Sequence, residues 1–167
     1  MLPVSAVAIR DVGIDANDDW DIIETAAEQH EWLGKAEQSL RGAESEFANQ
    51  RYDNAANRAY YACFQAAIAA LLDIGALTLA RGNAPSHAFV QAAFARELIH
   101  RRKIVPAELA SALLDLLFLR QQADYTTIPL NDVRVKRMLD KARGFVAVVR
   151  RRIGGKNGVK RSATGNH

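Results

Sequence analysis

The sequence predicts an all-α protein, an antiparallel bundle of four to five main helices. Apolar residues recur at three- and four-residue spacing along most of the chain, and no segment shows the period-two alternation of a strand. The connections are short enough to make consecutive helices antiparallel neighbours. With 167 residues, 49% hydrophobic and 25% charged, the composition is that of one globular domain around one core. No fixed-period repeat is present.

Residues 1–17 mix small apolar residues with Asp11, Gly13 and Asp15 and read as a flexible leader. Asp18 or Asp19 can cap a first helix in which Trp20, Ile23 and Ala27, then Trp32, Ala36, Leu40, Ala43 and Phe47, share a face. The spacing breaks near His30, which predicts one interrupted helix or two collinear ones. Asp53, in a polar junction from Asn49, is placed to cap a second helix from Asn54 to about Asp73, ended by Gly75. Gly82, Asn83 and Pro85 mark a mobile connection. Ser86 then caps a third helix carrying Val90, Phe94 and Leu98, closed by the basic residues His100 to Lys103.

Pro106 suits the first position of a fourth helix, with Glu108 in its first turn. From Ala112 to Leu119 only Asp115 is polar, so this helix is expected to be buried nearly all round. A fifth helix begins near Asn131 and presents Val135, Met138, Leu139, Ala142, Phe145, Val146, Val149 and Ile153 on one face. The Gly, Lys, Asn and Ser content beyond Ile153 reads as a basic disordered tail. The organisation is therefore leader 1–17, bundle 18–153 and tail 154–167.

Lys and Arg number 22 against 19 acidic residues, and the net charge of +3 does not by itself indicate a nucleic-acid or membrane partner. Its distribution is polar: residues 1–50 carry 11 acidic and 3 basic side chains, residues 133–167 carry 11 basic and 1 acidic. A lone cysteine, Cys63, points to a reduced, cytoplasmic protein. The longest apolar run, Ala59 to Leu72, is too short to span a membrane and contains Gln65. Arg10 follows the apolar stretch Leu2 to Ile9 instead of preceding it, the wrong polarity for a secretory signal.

The four histidines, His30, His87, His100 and His167, lack metal-ligand spacing, so neither a metal nor a cofactor is expected. Gly154 to Gly158 lacks the earlier glycine and the Ser or Thr after lysine that a phosphate loop needs. The second helix is more informative. Asn54, Arg58, Tyr61 and Gln65 form a polar stripe on an alanine-rich rod, with Asp53, Asn57, Tyr60 and Phe64 beside it. One reading is the wet face of the bundle, with Arg58 bonded to Asn54; the other is a polar site.

In the fourth helix Leu109, Leu113, Leu116 and Arg120 share a face, so a guanidinium ends an inward-facing apolar row and needs a partner. Asp124, four residues on, offers a local ion pair. The alternative is an arginine presented at a dimer groove to bind phosphate.

Asn57-Arg58-Ala59-Tyr60-Tyr61, His87 opening the third helix, and Arg120-Gln121-Gln122-Ala123-Asp124-Tyr125 together resemble the HEPN domain. The likeness runs from about Trp32 to Ile153 and includes Lys141-Ala142-Arg143-Gly144-Phe145-Val146 in the last helix. It is closest to the small stand-alone prokaryotic branch. The resemblance implies a bundle that often forms a homodimer and is frequently paired with a minimal nucleotidyltransferase protein in toxin–antitoxin or defence modules. In ribonuclease members an arginine followed four to six residues later by histidine forms a metal-independent RNA-cutting site across the dimer. Arg120 matches the arginine, but Tyr125 stands at the earliest place a histidine is allowed. Tyrosine, with a pKa of about 10, is a poor base at neutral pH.

The resemblance thus implies an effector or toxin that binds, and in its active form cleaves, RNA. Its catalytic candidates are Arg120, Tyr125, Asp124 and His87, and its RNA- or nucleotide-binding candidates are Arg58, Asn54, Asn57 and Tyr61. His87 shares the face of Val90 and Phe94 and has a structural reading as well; His100, in a basic cluster, is expected to be solvated. A second hypothesis is a non-catalytic nucleotide-binding or partner-docking module, in which the Arg120 groove recognises a nucleotide or a cognate nucleotidyltransferase; as a variant, the resemblance implies a transferase that adds AMP to a tyrosine near this motif, with Tyr125 the candidate. A third is a structural adaptor whose alanine-rich second helix is the interface.

Overall fold

The computed structural model describes residues 16–79 and 85–162, with side chains described over 26–79 and 85–155. Most of the expected leader lies outside these residues. The first helix, α1, is Ala16–Ala48, and it runs without the expected interruption near His30. Neither Gly nor Pro occurs between Ala16 and Leu33, and the lapse in apolar spacing leaves His30 exposed without disturbing the backbone. Leu33, Ala36, Leu40 and Ala43 form the buried seam of α1.

At the end of α1 the chain reverses through Gln50, at φ 61°. The Gln50 and Arg51 amides donate to the Phe47 and Glu46 carbonyls at 2.9 Å each, and the Arg51 side chain pairs with Glu46. The second helix, α2, is Tyr52–Asp73 and starts two residues before the expected position. Its N-cap is Arg51, with no side-chain bond, and Asp53 lies in the first turn, where its charge favours the positive end of the helix dipole. Gly75 ends α2 at φ 70°, with Gly75 and Ala76 amides returning to the Leu72 and Leu71 carbonyls.

α2 is the centre of the bundle. Ala55, Ala56, Ala59, Ala62, Ala66, Ala67, Ala69 and Ala70 are all 0–1% exposed, and these small side chains let α1 approach closely. Two contacts identify the α2 face that meets α1. The Arg58 side chain lies over Gly42, where a Cβ would stand 3.5 Å from Arg58 Cδ, and Ser39 Oγ lies 2.8 Å from the Gln65 amide.

The third helix, α3, is His87–Ala93, with Ser86 Oγ accepting from the Phe89 amide as expected. It continues as a π-helix, Phe94–Arg101, in which buried Glu97 pairs with Arg96 and Arg101. Pro106 does not begin the fourth helix. It precedes a 3-10 turn, Ala107–Leu109, and the helix proper, α4, is Ala112–Tyr125. The expectation that α4 is buried nearly all round is corrected. Leu113, Leu116 and Leu119 are 0–1% exposed, but Leu114 is 58% and Phe118 67% exposed. The helix lies on α2 and α5 along one side, and among the described residues nothing covers the other.

The fifth helix, α5, is Asp132–Ser162, capped by Asn131 Oδ1, which accepts from the Val133 and Arg134 amides at 2.9 and 3.2 Å. Its buried face is as the spacing predicts, from Val135 to Ile153, with Met138 partly covered. The expected disordered tail is corrected as far as Ser162, because the helix continues nine residues past Ile153. The helix runs on although three glycines lie in this stretch, Gly154, Gly155 and Gly158, each of which costs a helix about 1 kcal/mol.

Part of the charge asymmetry of the sequence is neutralised within the fold. Arg143 pairs with Glu44 at 2.7 Å and Arg150 with Glu37 at 2.6 Å, seven residues forward on α5 matching seven back on α1, so the two helices run antiparallel. Arg152 reaches Asp73 at 3.0 Å. Close α1–α2 packing is tested by Ala62→Leu, which forces three extra carbons onto the face of Arg58 and Gln65. The expected cost is about 1–3 kcal/mol, measured by urea unfolding, with the helical signal of the native state retained.

Candidate functional site

Three elements converge on the candidate site. The apolar row of α4 seats Leu113 and Leu116 in the core and leaves Arg120, one turn further, with a side chain 23% exposed. Its Nε donates to Asp124 Oδ2 at 3.2 Å, and Asn57 Nδ2 on α2 donates to the same carboxylate at 3.3 and 3.4 Å. The guanidinium carbon lies 5.3 Å from the Tyr60 ring centre and 5.0 Å from that of Tyr61. Two aromatic faces and one carboxylate therefore fix Arg120 from the Nε side. Among the described residues neither Nη atom has an acceptor, so both remain available to an external anion.

His87, the first residue of α3, joins this cluster from the other side of Tyr60. Its ring stacks on Phe64 at 4.3 Å and on Tyr60 at 5.7 Å. Its Nδ1 lies 2.6 Å from the Tyr60 hydroxyl. The residue as a whole is exposed, although this face and Nδ1 are covered. Burial of the ring, followed by the nearby Arg120 charge, holds its pKa below the ordinary 6.5, so the imidazole is neutral at neutral pH. Tyr60 is fully buried, and that burial pushes its phenol pKa up, so it serves as a neutral hydrogen-bonding group.

Beside this cluster lies a polar cavity of about 490 Å³ between α1 and α2, lined by Ser39, Glu46, Asn54, Asn57, Arg58, Tyr61 and Gln65. It contains every member of the polar stripe of α2. Asn54 donates to Glu46 at 3.4 Å and accepts no bond from Arg58. Arg58 is exposed and has no hydrogen bond or ion pair among the described residues, which overturns the local Asn54 pairing. Tyr61 and Asn57 stand between the cavity and Arg120: both line the cavity, the Tyr61 ring lies under the guanidinium, and Asn57 bonds Asp124.

Of the sequence-predicted residues, the structure brings together Arg120, Asp124, Asn57, Tyr61 and His87, with Arg58 and Asn54 in the adjoining cavity. Tyr125 is apart. It is 82% exposed on α4 and makes no hydrogen bond or ring contact among the described residues. Sequence reasoning missed the role of the Tyr60 hydroxyl. Its signal was present in the aromatic pair Tyr60-Tyr61, but the partner is 27 residues away across a connection with no helical register. The positive charge of the last helix is partly offset, because Arg143, Arg150 and Arg152 are occupied by acidic partners.

No described helix is long and apolar enough to cross a membrane, and among the described residues no group of three His, Cys, Asp or Glu side chains converges as a metal site requires. Buried Cys63 has its thiol pKa pushed up by desolvation, the opposite of an activated nucleophile.

Comparison with known proteins gives two matches. The HEPN domain profile matches residues 29–152. A "UPF0332 protein" from Thermotoga maritima is 32% identical over 124 residues, covering 73% of this chain and 88% of the relative.

The electrostatics of the cluster are testable by following the His87 ring through a pH titration by NMR. It is expected to titrate below 6.5 in the native protein, and Arg120→Ala should move the midpoint upward by removing a nearby positive charge. The stability associated with neutral His87 is complete above the unfolded-state pKa of about 6.5 and is lost as pH falls through the lower native value.

Proposed function

From the premise that the chain belongs to the HEPN domain family, we propose that it is an RNA-directed effector that binds a phosphodiester at Arg120 and cleaves it with His87 as base. The observation that carries this reading is the pairing of an arginine with both Nη ends free and a neutral histidine, packed on the same two tyrosine rings. The histidine that the helix of Arg120 lacks is supplied from α3. In this reading His87 Nε2 takes the proton of the RNA 2′-hydroxyl, and the 2′-oxygen attacks phosphorus. The P–O5′ bond breaks to leave a 2′,3′-cyclic phosphate, and the departing 5′-oxygen takes a proton from water. Arg120 stabilises the added negative charge on the non-bridging oxygens, a role in which positioned donors act most strongly. Arg58, Asn54, Asn57 and Tyr61 hold the adjoining nucleotide in the groove.

Cytoplasmic action in a two-component toxin–antitoxin or defence module, with a nucleotidyltransferase-type partner, belongs to the same proposal. So does a homodimer. Leu114 and Phe118 form an exposed apolar stripe on α4, next to a hollow of about 450 Å³ lined by Met138, Arg134 and Arg137 of α5. A second copy would cover this stripe and bring two Arg120 grooves near one interface. Phe118→Asp is expected to shift the protein to monomer in light scattering; an unchanged mass would place the interface elsewhere.

A second reading is recognition without turnover, with Tyr125 modified by the partner; its supporting observation is the 82% exposure of that side chain. Incubation with single-stranded RNA in EDTA separates the two. The first reading expects cyclic-phosphate ends. His87→Ala should lose cleavage about 100-fold or more while keeping RNA affinity, and Arg120→Ala should weaken binding and flatten its salt dependence by about 0.7 in logarithmic slope. Arg120-dependent binding without cleavage would establish the second.

A further inference from the structure

The polar cavity between α1 and α2 offers more open acceptors than donors. Asn54 Nδ2 donates to Glu46 Oε2 at 3.4 Å, and Asn57 Nδ2 donates to the two Asp124 oxygens at 3.3 and 3.4 Å. An ionised carboxylate only accepts, so each amide is held with its NH₂ toward the acid and its carbonyl oxygen turned away from it. Neither Oδ1 receives a donor among the described residues. Glu46 bonds Arg51 and Asn54 through Oε2 and leaves Oε1 without a donor. The Arg51 bond also holds the Glu46 carboxyl below its ordinary range, so the group is ionised at neutral pH. Ser39 and Gln65 bond to each other at 2.8 Å and are used within the protein.

Against these three oxygens stands one cation. The Arg58 stem lies over Gly42, and its guanidinium shares the cavity with Glu46 without pairing to it. A carboxylate repels phosphate, so the phosphate of a bound nucleotide belongs at Arg120 and the cavity suits the base. Of the four RNA bases, guanine matches the set. Its N1–H and N2–H₂ place three hydrogens along one edge, and the acceptors O6 and N7 follow on the next. Adenine and cytosine each carry one amino group beside a ring acceptor, and uracil one N–H between two carbonyls. Each of these brings an acceptor toward the acidic side of the cavity, where it goes unpaired.

We propose that this cavity is a guanine-reading subsite: Glu46 Oε1 and the Asn54 and Asn57 carbonyl oxygens accept from N1–H and N2–H₂, and Arg58 donates to O6 and N7. The pairing of Arg58 is the bidentate one that arginine makes with this base. Tyr61 lines the cavity and offers an aromatic face for stacking. Because Asn57 and Tyr61 touch both the cavity and the Arg120 cluster, the guanosine read here is the one beside the phosphate that Arg120 binds. Glu46 thereby becomes a specificity-determining residue. The inference rests on the RNA-binding reading for its purpose, but the base preference belongs to the cavity and is measurable with free nucleotides.

The test is a chemical-shift titration of the ¹⁵N-labelled full chain with GMP, IMP, AMP, CMP and UMP, run beside fluorescence anisotropy of a short oligouridine carrying one central guanosine, inosine or adenosine. IMP differs from GMP only by the missing N2 amino group. GMP is expected to bind about tenfold or more tighter than IMP or AMP, with shifts at Asn54, Asn57 and Tyr61, and the guanosine oligonucleotide should show the same order. Glu46→Gln should erase the preference while the helical signal stays native, because the amide oxygen still accepts from Arg51. Equal affinity for GMP, IMP and AMP in wild type, no GMP shifts at the cavity, or a preference that survives in folded Glu46→Gln overturns the subsite, even if RNA still binds through Arg120. A GMP preference in a protein that binds none of the oligonucleotides upholds the subsite for a free guanine nucleotide and overturns the RNA reading instead.

Discussion

The structure depends on one constraint: α2 is enclosed by its neighbours, and its buried surface is made chiefly of alanine. A helix with so little side-chain volume brings α1 close against it, which leaves no room for long polar side chains at the contact except where they lie flat. Arg58 lies flat over Gly42, and Gln65 meets Ser39. The large residues of α2 are confined to positions where a neighbour is displaced, and Tyr60 and Phe64 occupy one of these. Their rings form the floor on which His87 from α3 and Arg120 from α4 both rest. The site is thus a consequence of where the central helix stops being thin.

Electrostatics then divide the arginines into two populations. Arg143, Arg150 and Arg152 face acidic residues of α1 and α2 and tie the last helix to the first two. These partly exposed pairs contribute modestly to stability, but they define the antiparallel register. Among the described residues Arg58 has no hydrogen bond or ion pair, and Arg120 pairs only through Nε. Where a guanidinium has no carboxylate partner among the described residues, as at Arg58 and the Nη ends of Arg120, the local potential is more positive than where an acidic neighbour cancels the charge.

The fold was readable in the sequence because the apolar faces are long and regular, and the caps at Ser86, Gly75 and Asn131 have unambiguous local chemistry. The errors arose where local pattern is silent about neighbours. The run from Ala112 to Leu119 is apolar all round, but whether its outer side is covered depends on what packs there, and Leu114 and Phe118 are exposed. The glycines after Ile153 suggested a disordered tail, whereas the helix runs through them to Ser162. In the site, Arg120, Asp124, Asn57 and Tyr61 were legible because helical spacing reports which side chains share a face. The join between His87 and Tyr60 was not, since spacing within one helix carries no information about distance to another.

The π-helical stretch Phe94–Arg101 gives this arrangement a particular evolutionary fragility. A π turn holds one residue more than an α turn, so it acts as a single-residue insertion accommodated inside the helix. Deleting one residue there would restore ordinary α geometry and rotate the two ends of the segment by about 100° relative to one another. With Leu98 kept in the core, the rotation would swing His87 off the Tyr60 ring and turn Val90, Ala93 and Phe94, all buried, away from the core. One codon deletion would therefore cost the histidine side of the site and part of the bundle's packing together.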